Sequence, residues 1–150
     1  MANVSVLGAG SWGLGLALLL NNNGHNVTVW SVLKDEVAML QTEREHKRCL
    51  PGVKIPDSIT VSGDTENVIG SADVLVLAVA SPYTRSTAKM IAPFVKEGQI
   101  IVNVAKGVEE NTLMPVCDII KEEIPQADVC VLSGPSHAEE VSRGLPTTCV

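Results

Sequence analysis

Val4-Ser5-Val6-Leu7-Gly8-Ala9-Gly10-Ser11-Trp12-Gly13 decides the fold. A short apolar, β-branched run ends at a glycine. From Ser11 to Asn23 apolar side chains (Leu14, Ala17, Leu18) then recur at helical spacing, so the stretch reads as strand, turn and helix. The turn is a G-x-G-x-x-G in the context that motif requires. Gly8 permits the tight turn, Gly10 lets a pyrophosphate approach the backbone, and Gly13 lets the helix pack close to the strand. The helix start offers unpaired N–H groups and the positive end of its dipole to an anion. A dinucleotide site is therefore expected here.

The same alternation continues outward. Asn22, Asn23 and Gly24 stop the first helix, and Asn26–Trp30 reads as a second strand. A helix over Lys34–Thr42 is followed by a long polar stretch, Glu43 to Ser58, containing Pro51, Gly52 and Pro56. Strands are expected at Ile59–Ser62, Asp73–Val79, Ile100–Val104, Val129–Leu132 and Thr147–Val150, and helices at Ser86–Ile91, Leu113–Glu123 and Ser136–Arg143. The strand runs are continuously apolar instead of alternating, as in strands covered on both faces. The expectation is an α/β fold with a doubly wound parallel sheet, a Rossmann-like dinucleotide-binding domain over residues 1–150, without internal repeats or a low-complexity linker.

Composition agrees and excludes other classes. The 150 residues are 45% hydrophobic, which suits one core and not a disordered chain. Eleven Lys and Arg against seventeen Asp and Glu give a net charge of −6, which repels nucleic acid. Only Trp12, Trp30, Tyr83 and Phe94 are aromatic, which disfavours aromatic-rich β architectures. Cys49, Cys117, Cys130 and Cys149 form no C-x-x-C pair and have no histidine at zinc spacing, so no metal site is expected and the thiols read as reduced and mostly buried. The N-terminus has no basic signal-peptide region, and the longest apolar run, Leu14–Leu20, is far below the ~20 residues of a membrane span. A cytoplasmic chain without membrane insertion follows as the expectation.

The second strand bears on the cofactor. An acid at its end would hold the ribose 2′-hydroxyl of NAD. Trp30 is instead followed by Ser31-Val32-Leu33, and the first charges are Lys34 and Asp35. Lys34 could face a 2′-phosphate, which puts NADP first and NAD second. Among the imidazoles, His25 reads as a solvent-facing turn residue, His46 as part of a solvated charged loop, and His137 as a packing residue. The run Glu43–Arg48 could steer an anionic substrate locally.

Four segments together resemble the NAD(P)-dependent glycerol-3-phosphate dehydrogenases of the bacterial type, from Val4 to the last residue. They are Gly8-Ala9-Gly10-Ser11-Trp12-Gly13; Leu50-Pro51-Gly52 with Ile55-Pro56; Ala105-Lys106-Gly107-Val108-Glu109; and Ser133 to Val141, continuing to Gly144-Leu145-Pro146-Thr147. The resemblance implies reduction of dihydroxyacetone phosphate to sn-glycerol 3-phosphate with NAD(P)H, feeding phospholipid synthesis. It implies Ser11 and Trp12 beside the pyrophosphate, Lys106 between nicotinamide and substrate, Gly134 and Ser136 at the substrate, Ala138 at the cofactor, and Tyr83 on the nicotinamide side. The chain departs from the family pattern at Val32, where a basic residue is common, and at Cys49, where an aromatic is usual.

The residue chemistry supports Lys106 independently of the resemblance. It follows a buried strand and so emerges at a carboxyl end, where open α/β sheets bind ligands and an ammonium can stabilise a developing alkoxide. Ser136 opens the last helix, where its hydroxyl either caps the helix or meets substrate. The resemblance further implies a second, helical domain that supplies a proton-transferring lysine and a phosphate-gripping arginine, outside residues 1–150. The chain by itself is then expected to be the cofactor-binding part, without turnover, of an enzyme that acts on a small phosphorylated molecule, with a homodimer as one option for the parent. The rivals are a nucleotide-binding regulatory domain of a channel or transporter, and another two-domain dehydrogenase acting on a hydroxy acid or ketopantoate.

Overall fold

The computed structural model describes residues 1–148 and 150. Its six strands are β1 (Asn3–Leu7), β2 (Asn26–Trp30), β3 (Thr60–Ser62), β4 (Val74–Leu77), β5 (Ile100–Asn103) and β6 (Asp128–Val131). They form one sheet in the order β3-β2-β1-β4-β5-β6, every pairing parallel. The chain moves outward from β1 to β3 and then returns to lay β4 on the other side of β1. That reversal is the switch point at which doubly wound sheets open a crevice at their carboxyl edge.

Side chains alternate between two cores, one on each face. Val4, Val6, Val27, Val29 and Val76 join Leu14 and Leu18 of α1 (Ser11–Asn22) and Leu40 of α2 (Lys34–Glu43). Leu7, Trp30, Leu75, Leu77 and Ile101 face the opposite way. There they meet Val68 and Ile69 of α3 (Thr65–Gly70), Ile91 of α4 (Thr84–Ile91) and Ile120 of α5 (Val116–Glu123). Apolar residues on both sides of each strand are the physical cause of the continuous runs in the sequence.

Several boundaries differ from expectation. Helix α3 has no counterpart in the periodicity, being only six residues long. It forms because Asp64 caps it, Asn67 N–H donating to the Asp64 carboxylate at 3.1 Å, and that bond holds the carboxyl below its usual range. Helix α5 starts at Val116, not Leu113, because residues 108–115 form a tight turn with Leu113 at φ 57° and Glu109 N–H bonded to the Met114 carbonyl. The last helix, α6, covers only Ala138–Ser142. No strand forms at Thr147 or Thr148; Val150 exchanges two backbone hydrogen bonds with Ser133, and Cys149 lies outside the described residues. The buried-thiol expectation is also corrected: Cys130 is exposed, and Cys49 and Cys117 are half-buried.

Candidate functional site

The glycine turn opens the crevice. Gly8 has φ +116°, and a Cβ there would stand 2.8 Å from the Ala78 carbonyl oxygen. A Cβ on Gly13 would stand 2.0 Å from the Gly8 carbonyl oxygen, so the helix can sit this close to the strand only without one. Gly10 is different. Its backbone is ordinary (φ −70°, ψ 178°), and a Cβ would meet nothing within 4 Å, because it points into open space above the helix start. No side chain caps α1, so its first-turn N–H groups are left for a ligand. A cradle of bare backbone donors, open on the side where a Cβ would fill it, fits a pyrophosphate.

Around this cradle lies a cleft of about 550 Å³. Gly10, Ser11 and Trp12 form one wall, Ala78–Ser81 beyond β4 a second, Val104–Lys106 beyond β5 a third, and Ser136–Glu139 a fourth. The exposed Lys106 ammonium donates to the Gly134 carbonyl at 3.1 Å, joining the third and fourth walls. Gly107 follows at φ +109°, and a Cβ there would stand 3.7 Å from the Ser81 hydroxyl. Ser136 does not cap α6. His137 stands at that position, and the Ser136 hydroxyl lies 3.4 Å from the Gly134 carbonyl, at the limit of a hydrogen bond.

Helix α6 is held in place through a residue that sequence reasoning passed over. A Cβ on Gly15 would come within 3.2 Å of the Ala138 carbonyl oxygen, so glycine in the second turn of α1 admits the α6 backbone and brings Ala138 to the cleft. The loop after β5 is tied down from behind. Arg85 on α4 forks onto Glu109 at 2.7 and 2.8 Å and also reaches Glu122 and Glu123 on α5. Arg85, with help from Thr112, lowers the Glu109 carboxyl to about 2, and the three acids hold the guanidinium firmly charged.

Other expected site residues lie elsewhere. Tyr83 is 65% exposed and outside the cleft lining. Lys34 lines a second cleft beyond β2. The histidine readings change as well. His46 is buried, not solvated, with Nε2 3.0 Å from Glu36 Oε1 and Nδ1 accepting the Cys49 N–H. His137 is exposed on the cleft wall, not packed. His25 is half-buried, its Nδ1 accepting the Ala2 N–H. The expected steering by residues 43–48 is mostly cancelled, since Arg44 pairs with Asp57 and Lys47 with Glu43. No helix among the described residues is long and apolar enough to cross a membrane.

An all-parallel sheet in this strand order, with a glycine turn at its switch point, defines a Rossmann-type doubly wound domain. Comparison with known proteins narrows the class. Residues 3–150 match the family described as NAD-dependent glycerol-3-phosphate dehydrogenase N-terminus, and the chain belongs to that family. It is 61% identical over 150 residues to a glycerol-3-phosphate dehydrogenase (NAD(P)+) of Agathobacter rectalis, covering 100% of this chain and 45% of the relative. It is 49% identical over 152 residues to one of Fusobacterium nucleatum, with the same coverage. A crystal structure of glycerol-3-phosphate dehydrogenase from Coxiella burnetii superposes with a TM-score of 0.92 at 29% identity, over 99% of this chain and 45% of that one. The chain thus spans less than half the length of the proteins it matches. The regulatory-domain rival gains nothing from these likenesses.

Proposed function

We propose that residues 1–150 are the cofactor-binding part of an enzyme that reduces dihydroxyacetone phosphate to sn-glycerol 3-phosphate with NADPH or NADH, for phospholipid synthesis. The observation that carries the reading is the single cleft that joins the glycine turn to Lys106, with the ammonium 3.1 Å from the Gly134 carbonyl. When bound, the nicotinamide supplies a hydride to the substrate carbonyl. Gly10, Ser11, Trp12 and Gly13 would present their backbone N–H groups to the pyrophosphate at the start of α1, on the turn that Gly8 permits. Ala138 would flank the cofactor from the cleft wall, and Tyr83 would have to reach it from two residues beyond Ser81, the last residue of that lining segment. Lys106 would turn its ammonium from the Gly134 carbonyl to the substrate carbonyl oxygen, donating a charge-assisted hydrogen bond that strengthens as alkoxide character develops. Gly134 and the Ser136 hydroxyl would fix the small phosphorylated substrate beside it.

The test is twofold. Titration of the chain with NADPH and NADH should give saturable binding that Gly10→Val abolishes. The protein carrying this chain should oxidise NAD(P)H when given dihydroxyacetone phosphate and not when given a 2-keto acid or ketopantoate. Turnover with a keto acid alone would replace the substrate assignment, and absence of dinucleotide binding would end the reading altogether.

A further inference from the structure

We infer that Arg85 is a positioning residue for the reaction: its fork onto Glu109 sets where Lys106 emerges beside the substrate, so that part of the rate Lys106 contributes depends on it. The inference rests on the role proposed for Lys106 above and deepens it.

Lys106 cannot place itself. Its side chain is exposed, and its ammonium has one hydrogen bond among the described residues, the 3.1 Å contact with the Gly134 carbonyl, which it must give up to reach a substrate. Gly107, next in the chain, stands at φ +109° and has no side chain to pack. What fixes the ammonium is therefore the backbone on either side. On the N-terminal side the buried Asn103 holds it, its side chain accepting the Ala105 N–H at 3.1 Å and donating to the Ala105 carbonyl at 3.2 Å.

On the C-terminal side the anchor is Glu109. Its N–H donates to the Met114 carbonyl and its carbonyl accepts the Leu113 N–H, both at 2.9 Å, so the turn closes on this one residue. The Thr112 hydroxyl donates to its carboxylate. A turn closed on itself is still free to swing as a unit about Gly107. Arg85 prevents this: Nε and Nη2 each hold one oxygen of the Glu109 carboxylate, at 2.7 and 2.8 Å, in the two-pronged geometry that fixes direction as well as distance. Arg85 lies on α4 just beyond Ser81, so the fork ties the cleft wall at Ala78–Ser81 to the one at Val104–Lys106. Nη1 binds Glu122 and Glu123 on α5, which fixes the guanidinium in turn.

Charge makes the arrangement depend on Arg85. Three carboxylates converge on it, and the one other cation paired there among the described residues is Lys89, 3.7 Å from Glu123. Without Arg85, Glu109 is left to repel Glu122 and Glu123, and the turn moves off α5 and carries Lys106 with it. A displacement of about 1 Å at a reacting group is enough to lower a rate 10²-fold.

The experiment measures steady-state kinetics with dihydroxyacetone phosphate and NADPH in the protein carrying this chain, for Arg85→Met, Arg85→Lys, Glu109→Gln, Lys106→Met and the doubles of Arg85→Met and Glu109→Gln with Lys106→Met. Arg85→Met and Glu109→Gln should each lower kcat by about tenfold to a hundredfold. The Kd for NADPH should stay within about twofold, which also checks that each variant folds. Arg85→Lys keeps the charge without the fork and should recover only part of the loss. Each double should be no slower than Lys106→Met alone, because a group that acts through Lys106 has nothing to position once the ammonium is gone. A merely structural role predicts the same factor in both backgrounds, and that result overturns the inference. So does an unchanged kcat in Glu109→Gln, the variant that decides if Arg85→Met does not fold. If Lys106→Met itself keeps full kcat/KM, the role proposed for Lys106 fails and takes the inference with it, whereas a loss in Lys106→Met without one in the Arg85 and Glu109 variants ends the inference alone.

Discussion

Gly10 and Gly13 belong to one motif, yet the structure separates what each does, and a pair of alanine variants exposes the difference. Gly10→Ala adds a methyl group that points into open space on a backbone of φ −70° and ψ 178°, which any residue adopts. Stability should barely move. Reduced freedom of the unfolded chain favours alanine by about 0.4–1 kcal/mol, and the N-cap preference for glycine over alanine opposes it by a similar amount. For a chain of this size the melting shift should stay within about 2–4 °C. The methyl group occupies the space where the pyrophosphate would approach. Losing one or two charge-assisted bonds to it costs about 1.5–3 kcal/mol each, a rise in Kd of at least about tenfold. Gly13→Ala does the reverse. Its Cβ would stand 2.0 Å from the Gly8 carbonyl oxygen, a backbone atom that cannot swing aside, so α1 must move off β1 and the loss should reach several kcal/mol. Differential scanning calorimetry without ligand and isothermal titration with NADPH measure the two quantities separately. A Gly10→Ala protein that melts far below wild type, or binds NADPH as well as wild type, would refute the division of labour.

In the protein carrying this chain, Lys106→Met should lower kcat/KM for dihydroxyacetone phosphate by on the order of 10²–10³ with little change in dinucleotide Kd, and Ser136→Ala should cost much less, since a neutral hydrogen bond is worth about 0.5–1.5 kcal/mol; steady-state kinetics give the order. The Glu109 carboxyl is held at about 2 by Arg85, so the folded state binds fewer protons than the unfolded one, and its contribution is present above the ordinary carboxylate range and lost as the pH falls toward 2. The melting-temperature gap between wild type and Glu109→Gln should therefore be widest near neutrality and close between about pH 4.5 and 2; a gap independent of pH would refute this. Converting Ile101, fully buried in β5 in the core that also holds Ile91 of α4 and Ile120 of α5, to alanine should cost about 2–5 kcal/mol, measured by urea denaturation.

How much of this was legible in the sequence follows from the range of the forces involved. The parallel sheet and the phosphate turn are written in local patterns: apolar runs for strands buried on both faces, and glycines where strand and helix must touch. Lys106 was legible because a residue just beyond a buried strand must surface at the carboxyl edge. Helix α3 was not, since six residues cannot display a 3.6-residue period and its start rests on one aspartate. Gly15 was hidden for a different reason, as the atom it makes room for is the Ala138 carbonyl, far away in the chain. His46 shows the limit most clearly. Among Arg44, Glu45, Lys47 and Arg48 it has every local mark of a solvated loop residue, yet Glu36, ten residues earlier, supplies an acceptor that lets it be buried.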